Sequence, residues 1–237
     1  MIDKSIVNIA NLSRKTIEQF DLIKSGDKIG IGVSGGKDSM LLVHILYTLK
    51  EMRIYDFEFE VFHIDNGYKN NNIYKMKEYF ESISIKFNVI ETNIHEIIFN
   101  IKKESNPCSL CSRMRRGALL ETLYKSNFNK LALGHHYEDQ VNTFFMNLLY
   151  TGKIDSFKTK TFFENKNITM IRPLSNISER TIKNAILKAK IPTFESLCPV
   201  DKKTSRTDID YFVKEIYKKY PKSRDSINSA MKSIDKR

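Results

Sequence analysis

The residues most able to do chemistry lie in one run, Ser34-Gly35-Gly36-Lys37-Asp38-Ser39. Two adjacent glycines let the backbone turn sharply and come close to a ligand where a Cβ would intrude. The backbone N–H groups of such a turn form a nest for an anion, and a helix that starts there adds positive potential. Lys37 contributes a full charge, and Ser34 and Ser39 contribute hydroxyls. This set suits a phosphate or pyrophosphate. Just before it, Ile29, Ile31 and Val33 mark a β-branched strand. Just after it, Met40-Leu41-Leu42-Val43-His44-Ile45-Leu46 continues long enough for a helix. The unit is therefore strand, glycine turn, helix. It is not the P-loop of kinases and GTPases, which needs four residues between its glycines and a Ser or Thr directly after the Lys; here Asp38 follows Lys37.

A second chemical cluster is Pro107-Cys108-Ser109-Leu110-Cys111-Ser112-Arg113-Met114-Arg115-Arg116-Gly117, with a third cysteine far away at Cys198. The spacing of Leu110 and Met114 starts a helix, so both paired cysteines fall at its N-terminus. That position and the three arginines favour thiolates. Three readings stand: buried structural thiols, a redox dithiol, or a three-thiolate metal site. Only the last employs Cys198. A cluster with three protein ligands leaves one iron open for substrate or sulfide. The arginines are equally able to hold RNA phosphate or a developing negative charge.

The elements that must position these groups alternate along the chain. Strands are expected at 29–33, 57–64, 86–92, 131–134 and 168–173, and helices at 38–53, 70–84, after Asp139, and at 178–190. Residues 153–167 read as a basic loop. The alternation implies an α/β fold: a doubly wound parallel five-stranded sheet with helices on both faces. Helical extensions flank it. An amphipathic helix lies within residues 3–23, and helices at 205–220 and beyond close the chain. The expected division is 1–25 as N-terminal helix, 26–200 as nucleotide domain and 201–237 as C-terminal helical extension.

Several further residues sit where parallel strands end, the edge that faces a ligand crevice. His63 and Asp65 end the second strand; Asp65 reads equally as a turn residue before Gly67. Gly134, His135 and His136 end the fourth, followed by Glu138 and Asp139. Adjacent histidines do not share a helix face as metal ligands would, so loop residues near a nucleotide are the favoured reading.

The sequence carries 39 Lys and Arg against 28 Asp and Glu, a formal charge of +11, which suggests a polyanionic partner. Residues 1–20 are amphipathic and charged, unlike a signal peptide, and no apolar run is long enough for a membrane span. A cytoplasmic protein is expected. Three cysteines, two at C-x-x-C spacing, argue against a disulfide framework.

Ser-Gly-Gly-Lys-Asp-Ser resembles the PP-loop of the ATP-pyrophosphatase superfamily. Together with the cysteine run and Leu131-Ala132-Leu133-Gly134-His135-His136-Tyr137-Glu138-Asp139, it resembles the TtcA family of tRNA 2-thiocytidine biosynthesis proteins. Ile171-Arg172-Pro173-Leu174 and the stretch from Lys219-Tyr220-Pro221 to Ser229-Ala230-Met231 echo the same family. The resemblance implies thiolation of cytidine 32 of the tRNA anticodon loop, using ATP, Mg²⁺ and a [4Fe-4S] cluster held by Cys108, Cys111 and Cys198. It implies that Ser34, Gly35, Gly36, Lys37, Asp38 and Ser39 hold phosphates, and that Asp38 and Asp139 position Mg²⁺ or phosphate. His63, Asp65, Gly134 and His135 would line the adenosine, and Arg115 and Arg116 would serve the reacting base or RNA phosphate. It further implies a sulfur donor, such as a cysteine desulfurase, and a homodimer. Two positions depart from the family pattern: Glu195 stands where a second cysteine often precedes the third ligand, and Glu138 replaces the first Asp of an Asp-Asp pair. Thiolation of another tRNA base and a zinc-stabilised RNA-binding module are the alternatives.

Overall fold

A computed structural model describes residues 4–67, 72–102, 107–195, 198 and 205–235. The expected boundary at 200/201 lies outside them, as do residues 70 and 71 of the expected third helix. The chain alternates as the sequence implies: α1 (Lys4–Phe20), β1 (Asp27–Gly32), α2 (Lys37–Glu51), β2 (Phe57–Asp65), α3 (Asn72–Ser82), β3 (Phe87–Glu91), a π-helical turn (Glu96–Ile101), α4 (Pro107–Lys125), β4 (Lys130–Leu133), α5 (Tyr137–Thr151), β5 (Lys160–Phe163), β6 (Ile168–Ile171), α6 (Glu179–Ala189), α7 (Ser205–Lys219) and α8 (Ser223–Asp235).

The sheet order is β3-β2-β1-β4-β6-β5, with every pair parallel except β5 against β6. The sheet thus has six strands where the sequence pattern implies five. The extra one, Lys160–Phe163, falls in the stretch expected to be a basic loop. It is four residues long, lies at an edge and leaves Phe162 exposed, so it carries little apolar signal of its own; pairing with β6 makes it a strand.

The alternation Ile29-Gly30-Ile31-Gly32 divides β1 between two cores. Ile29 and Ile31 are fully buried on one face with Leu42, Ile45, Leu46 and Leu49 of α2, Ile9 and Ile17 of α1, and Ile182 of α6. The glycines face α4. A Cβ on Gly30 would stand 2.3 Å from Leu123 Cδ2, so the missing side chain is what lets α4 pack flat on the sheet. Leu119, Leu120 and Leu123 form this second core with Phe62, Ile64, Leu131 and Met170. A third, smaller cluster joins α5 to α7 and α8 through Tyr137, Val141, Ile209, Val213, Met231 and Ile234.

At the N-terminal end of the strands, Lys130 and Asp27 form a buried ion pair of 3.1 Å. Lys130 Nζ also donates to Leu22 O at 2.6 Å, and Asp27 accepts from Lys24 N at 2.6 Å and Asn129 Nδ2 at 2.8 Å. A buried pair is tolerated where both partners have such further bonds. It fixes β1 against β4 from below. No helix among the described residues is long and apolar enough to cross a membrane.

Candidate active site

β1 leads on to α2, β2, α3 and β3 in one direction along the sheet, while β4 lies on its other side. The ends of β1 and β4 therefore form the point where the strand order reverses, the usual place for a ligand crevice in such sheets. The glycine turn sits at this point. Gly35 has φ +89°, a left-handed conformation that favours glycine, and its carbonyl accepts from Phe194 N at 2.9 Å. Ser39 Oγ donates to Gly36 O at 2.9 Å and accepts from Ser34 N at 3.2 Å, while Gly36 N donates to Ser34 Oγ at 3.4 Å. The serines thus hold the turn in shape.

Opposite the turn, Gly134 ends β4. A Cβ there would lie 2.8 Å from Asp38 C, 2.9 Å from Asp38 O and 2.9 Å from Ser39 N. These are backbone atoms that cannot step aside. Glycine at 134 therefore sets how closely the β4 end approaches the start of α2.

The charged groups interlock. Lys37 Nζ lies 2.8 Å from Asp38 Oδ2 and 3.1 Å from Glu179 Oε1. Burial alone would lower the Lys37 ammonium, but the two carboxylates hold it above its ordinary value. Burial raises the Asp38 carboxyl, and Lys37 only partly opposes it. His136 Nε2 lies 3.8 Å from Asp38 Oδ1 and 3.6 Å from Asp139 Oδ2, and its Nδ1 lies 3.2 Å from Glu138 Oε2. Although burial lowers it, this ring of carboxylates keeps His136 above its usual range. Asp139 Oδ2 accepts from His136 N at 3.0 Å, capping α5, and its Oδ1 lies 3.5 Å from Arg206. Glu138 accepts from Glu179 N at 2.8 Å and from Arg224 Nη2 at 2.9 Å.

Asp38 Oδ1 is buried and has no hydrogen-bond partner. An orphaned carboxylate oxygen facing a second carboxylate across an imidazole fits a cation site. Mg²⁺ is commonly held by one or two carboxylates together with substrate phosphates. Among the described residues, no three His, Cys, Asp or Glu side chains already surround a common metal position.

The other expected residues fall as follows. His63 is buried, and its Nδ1 bonds Val33 O at 2.8 Å; burial lowers its pKa, as does the charge of Arg115. Asp65 Oδ1 accepts from Gly67 N at 2.8 Å, so it does serve the turn, at the crevice edge of β2. His135 is half-buried beside Phe157 and Arg172. Arg115 is half-buried, and Arg116 is exposed, with its charge felt at Arg172.

Cys108 is exposed, and Cys111 and Cys198 are half-buried. Cys111 packs against the second core with Leu110 and Met114. This corrects the expectation of a favoured thiolate: burial raises the Cys111 thiol, and the nearby thiols of Cys198 and Cys108 raise it further, with Arg115 opposing. Three thiols, one of them against an apolar wall, are the donor type that an iron–sulfur cluster takes, although among the described residues they do not already surround a common metal position. Spacing does not single out Glu179, Arg206 and Arg224, because each reaches the site through tertiary packing.

Residues 7–213 match the family model described as a PP-loop domain. The chain is 33% identical over 231 residues to the tRNA-cytidine(32) 2-sulfurtransferase of Dichelobacter nodosus, covering 97% of this chain and 86% of that protein. It is 32% identical to the enzyme of that name from Bdellovibrio bacteriovorus, covering 98% and 93%. This chain belongs to that PP-loop family. Among solved structures it resembles the U34-tRNA thiolase NcsA from Methanococcus maripaludis, described with its [4Fe-4S] cluster (TM-score 0.78, 21% identity, 98% of this chain and 79% of that one). It also resembles an NH3-dependent NAD synthetase from Campylobacter jejuni (TM-score 0.51, 15% identity, 100% and 94%). Both likenesses concern the fold.

Two outcomes test the site. Gly134→Ala should weaken ATP binding at least tenfold and cost about 1–3 kcal/mol in stability, read by calorimetric titration and urea denaturation. Glu179, paired with Lys37 at 3.1 Å and Lys183 at 3.0 Å, is held down to about 2 from its ordinary 4.5, against the opposing effect of burial. A depressed carboxylate stabilises the fold above its unfolded value and loses that effect as pH falls toward the folded one. Glu179→Gln should therefore be less stable than wild type at pH 6, and the gap should narrow between pH 4.5 and pH 3.

Proposed function

We propose that the protein is an ATP-dependent tRNA sulfurtransferase that converts cytidine 32 to 2-thiocytidine. The observation that carries this reading is the course of α4. Leu123 lies against Gly30 and Leu119 against Gly32, so the earlier turns of the helix, with Cys108, Cys111 and Arg115, run toward the end of β1 where the phosphate turn begins. Thiols and a phosphate turn at one sheet edge are a pairing that a ligase without thiol chemistry does not need.

Residues 34–39 hold the β,γ-phosphates of ATP by backbone N–H groups and the two hydroxyls. Lys37 leaves Asp38 and Glu179 for the phosphates as they arrive. Asp38, with its open Oδ1, and Asp139 would hold the Mg²⁺ that accompanies the nucleotide. His63 is held by Val33 and, with Asp65, Gly134 and His135, forms the adenosine wall. The C2 oxygen of the base attacks the α-phosphorus, the bond to pyrophosphate breaks, and pyrophosphate leaves with the electron pair. Lys37 and the turn stabilise the charge that builds on the transferring group. Arg115 stands at the base, and Arg116, exposed on the same helix, takes RNA phosphate. Sulfide, released from the donor's persulfide by a thiol reductant, then attacks C2; the C2–O bond breaks and AMP leaves with that oxygen and the electron pair. A [4Fe-4S] cluster held by Cys108, Cys111 and Cys198 would supply an open iron for sulfide. The net charge of +11 suits tRNA. A cysteine desulfurase as sulfur donor, a homodimer and a cytoplasmic setting complete the reading, as does a division into residues 1–25, 26–200 and 201–237.

The test is nucleoside mass analysis of tRNA from a strain lacking the gene, complemented in turn by wild type and Cys198→Ser. Wild type should restore 2-thiocytidine and the variant should not. Anaerobically reconstituted wild type should also hold about four irons, lost in the variant. Restoration by Cys198→Ser, or a thiouridine in place of 2-thiocytidine, would overturn the cluster or the base assignment respectively.

A further inference from the structure

Arg172 is a buried cation, 5% exposed, with no carboxylate of the described residues in ion-pair contact. Each of its three guanidinium nitrogens nevertheless has a partner. Nη1 donates to Lys158 O, Nη2 lies 3.7 Å from Met170 Sδ, and the group stacks 4.6 Å over the Phe157 ring. Its own backbone N donates to Thr159 O at 3.0 Å. A further donor, Nε–H, points to Nδ1 of His135 at 3.3 Å. A guanidinium cannot accept a proton or a hydrogen bond, so Nδ1 must be the acceptor and must carry no hydrogen. Which nitrogen of an imidazole bears the proton is set by the partner of the other one.

We propose that Arg172 is the positioning residue of His135. It locks the ring as the neutral Nε2–H tautomer, so that His135 offers a hydrogen-bond donor, not a base, to an oxygen in the nucleotide crevice. The neighbours agree. Burial and the charges of Arg172, Arg206 and His136 disfavour a proton on both nitrogens, with Asp139 opposing, and His135 falls to about 4. His135 follows Gly134, whose backbone meets Asp38 and Ser39, so its own backbone begins beside the phosphate turn. A neutral donor there binds oxygen without repelling Lys37 or a metal ion. That the oxygen belongs to ATP rests on the function proposed above; the tautomer does not.

The experiment is ¹⁵N NMR of the histidine-labelled full chain at pH 7.5 without ligand, with His135→Gln used to assign the signal among the five imidazoles. The expected result is a bare Nδ1 and a protonated Nε2 for His135. In Arg172→Lys, which keeps the charge but loses the rigid fork, the ring should become a mixture of tautomers. A wild-type ring that is Nδ1–H or doubly protonated overturns the proposal, whether or not the variant folds. So does an unchanged Nε2–H tautomer in Arg172→Lys. In the thiolation assay, Gln at 135, whose amide places N–H near Nε2, should stay within about tenfold of wild type, while Asn and Ala fall on the order of a hundredfold. Asn as active as Gln would overturn the donor role.

Discussion

The site depends on one close approach. The backbone of Gly134 lies against the backbone of Asp38 and Ser39, with no room for a Cβ between them. This contact places the end of β4 over the start of α2. Everything C-terminal to β4, namely His135, His136, Glu138 and Asp139, is thereby brought to the phosphate turn. Below it, the buried pair Lys130–Asp27 holds the same two strands at their opposite end. β1 and β4 are thus fixed at both ends, and the crevice between them is a property of the sheet rather than of its loops.

On this frame the charges are arranged to satisfy one another until a nucleotide comes. Lys37 sits between Asp38 and Glu179, and His136 sits among Asp38, Glu138 and Asp139. Arg206 and Arg224 reach in from α7 and α8 to Asp139 and Glu138. Buried carboxylates without such partners would be costly. A polyphosphate with its cation can take the places of these internal partners without leaving a charge uncompensated. The same ties make α7 and α8 part of the site's architecture, since Arg224 and the third apolar cluster hold them to α5. On the other side of the sheet, α4 brings cysteines and arginines to the crevice because Gly30 lets Leu123 sit directly on β1.

Much of this was legible in the sequence, for a physical reason in each case. β-branched runs ended by glycine give β1 and the turn, and the 3.6-residue apolar spacing gives α1, α2, α5 and α6. The residues at strand ends could be named because parallel strands deliver them to one edge. β5 is not legible, because a four-residue edge strand is too short to show a period and exists only through its partner β6. Glu179, Arg206 and Arg224 were not legible either, since they converge from helices far along the chain and no local pattern marks them. The cysteines show a different limit. Their helix position and arginines argue for thiolates, but the burial of Cys111 against the second core reverses the direction, and burial is not written in local sequence. Arg172 stands directly after β6, yet its bond to His135 appears only once β6 and the end of β4 are side by side.

The reaction proposed for this crevice is attack at the α-phosphorus of ATP. Chromatography of the products from ATP labelled at the α- and γ-phosphates, incubated anaerobically with unmodified tRNA, sulfide and the reconstituted full-length protein, tests this. The account predicts AMP and pyrophosphate, formed only when tRNA is present and abolished by Asp38→Asn. ADP and phosphate as products, or AMP formed equally without tRNA, would contradict it.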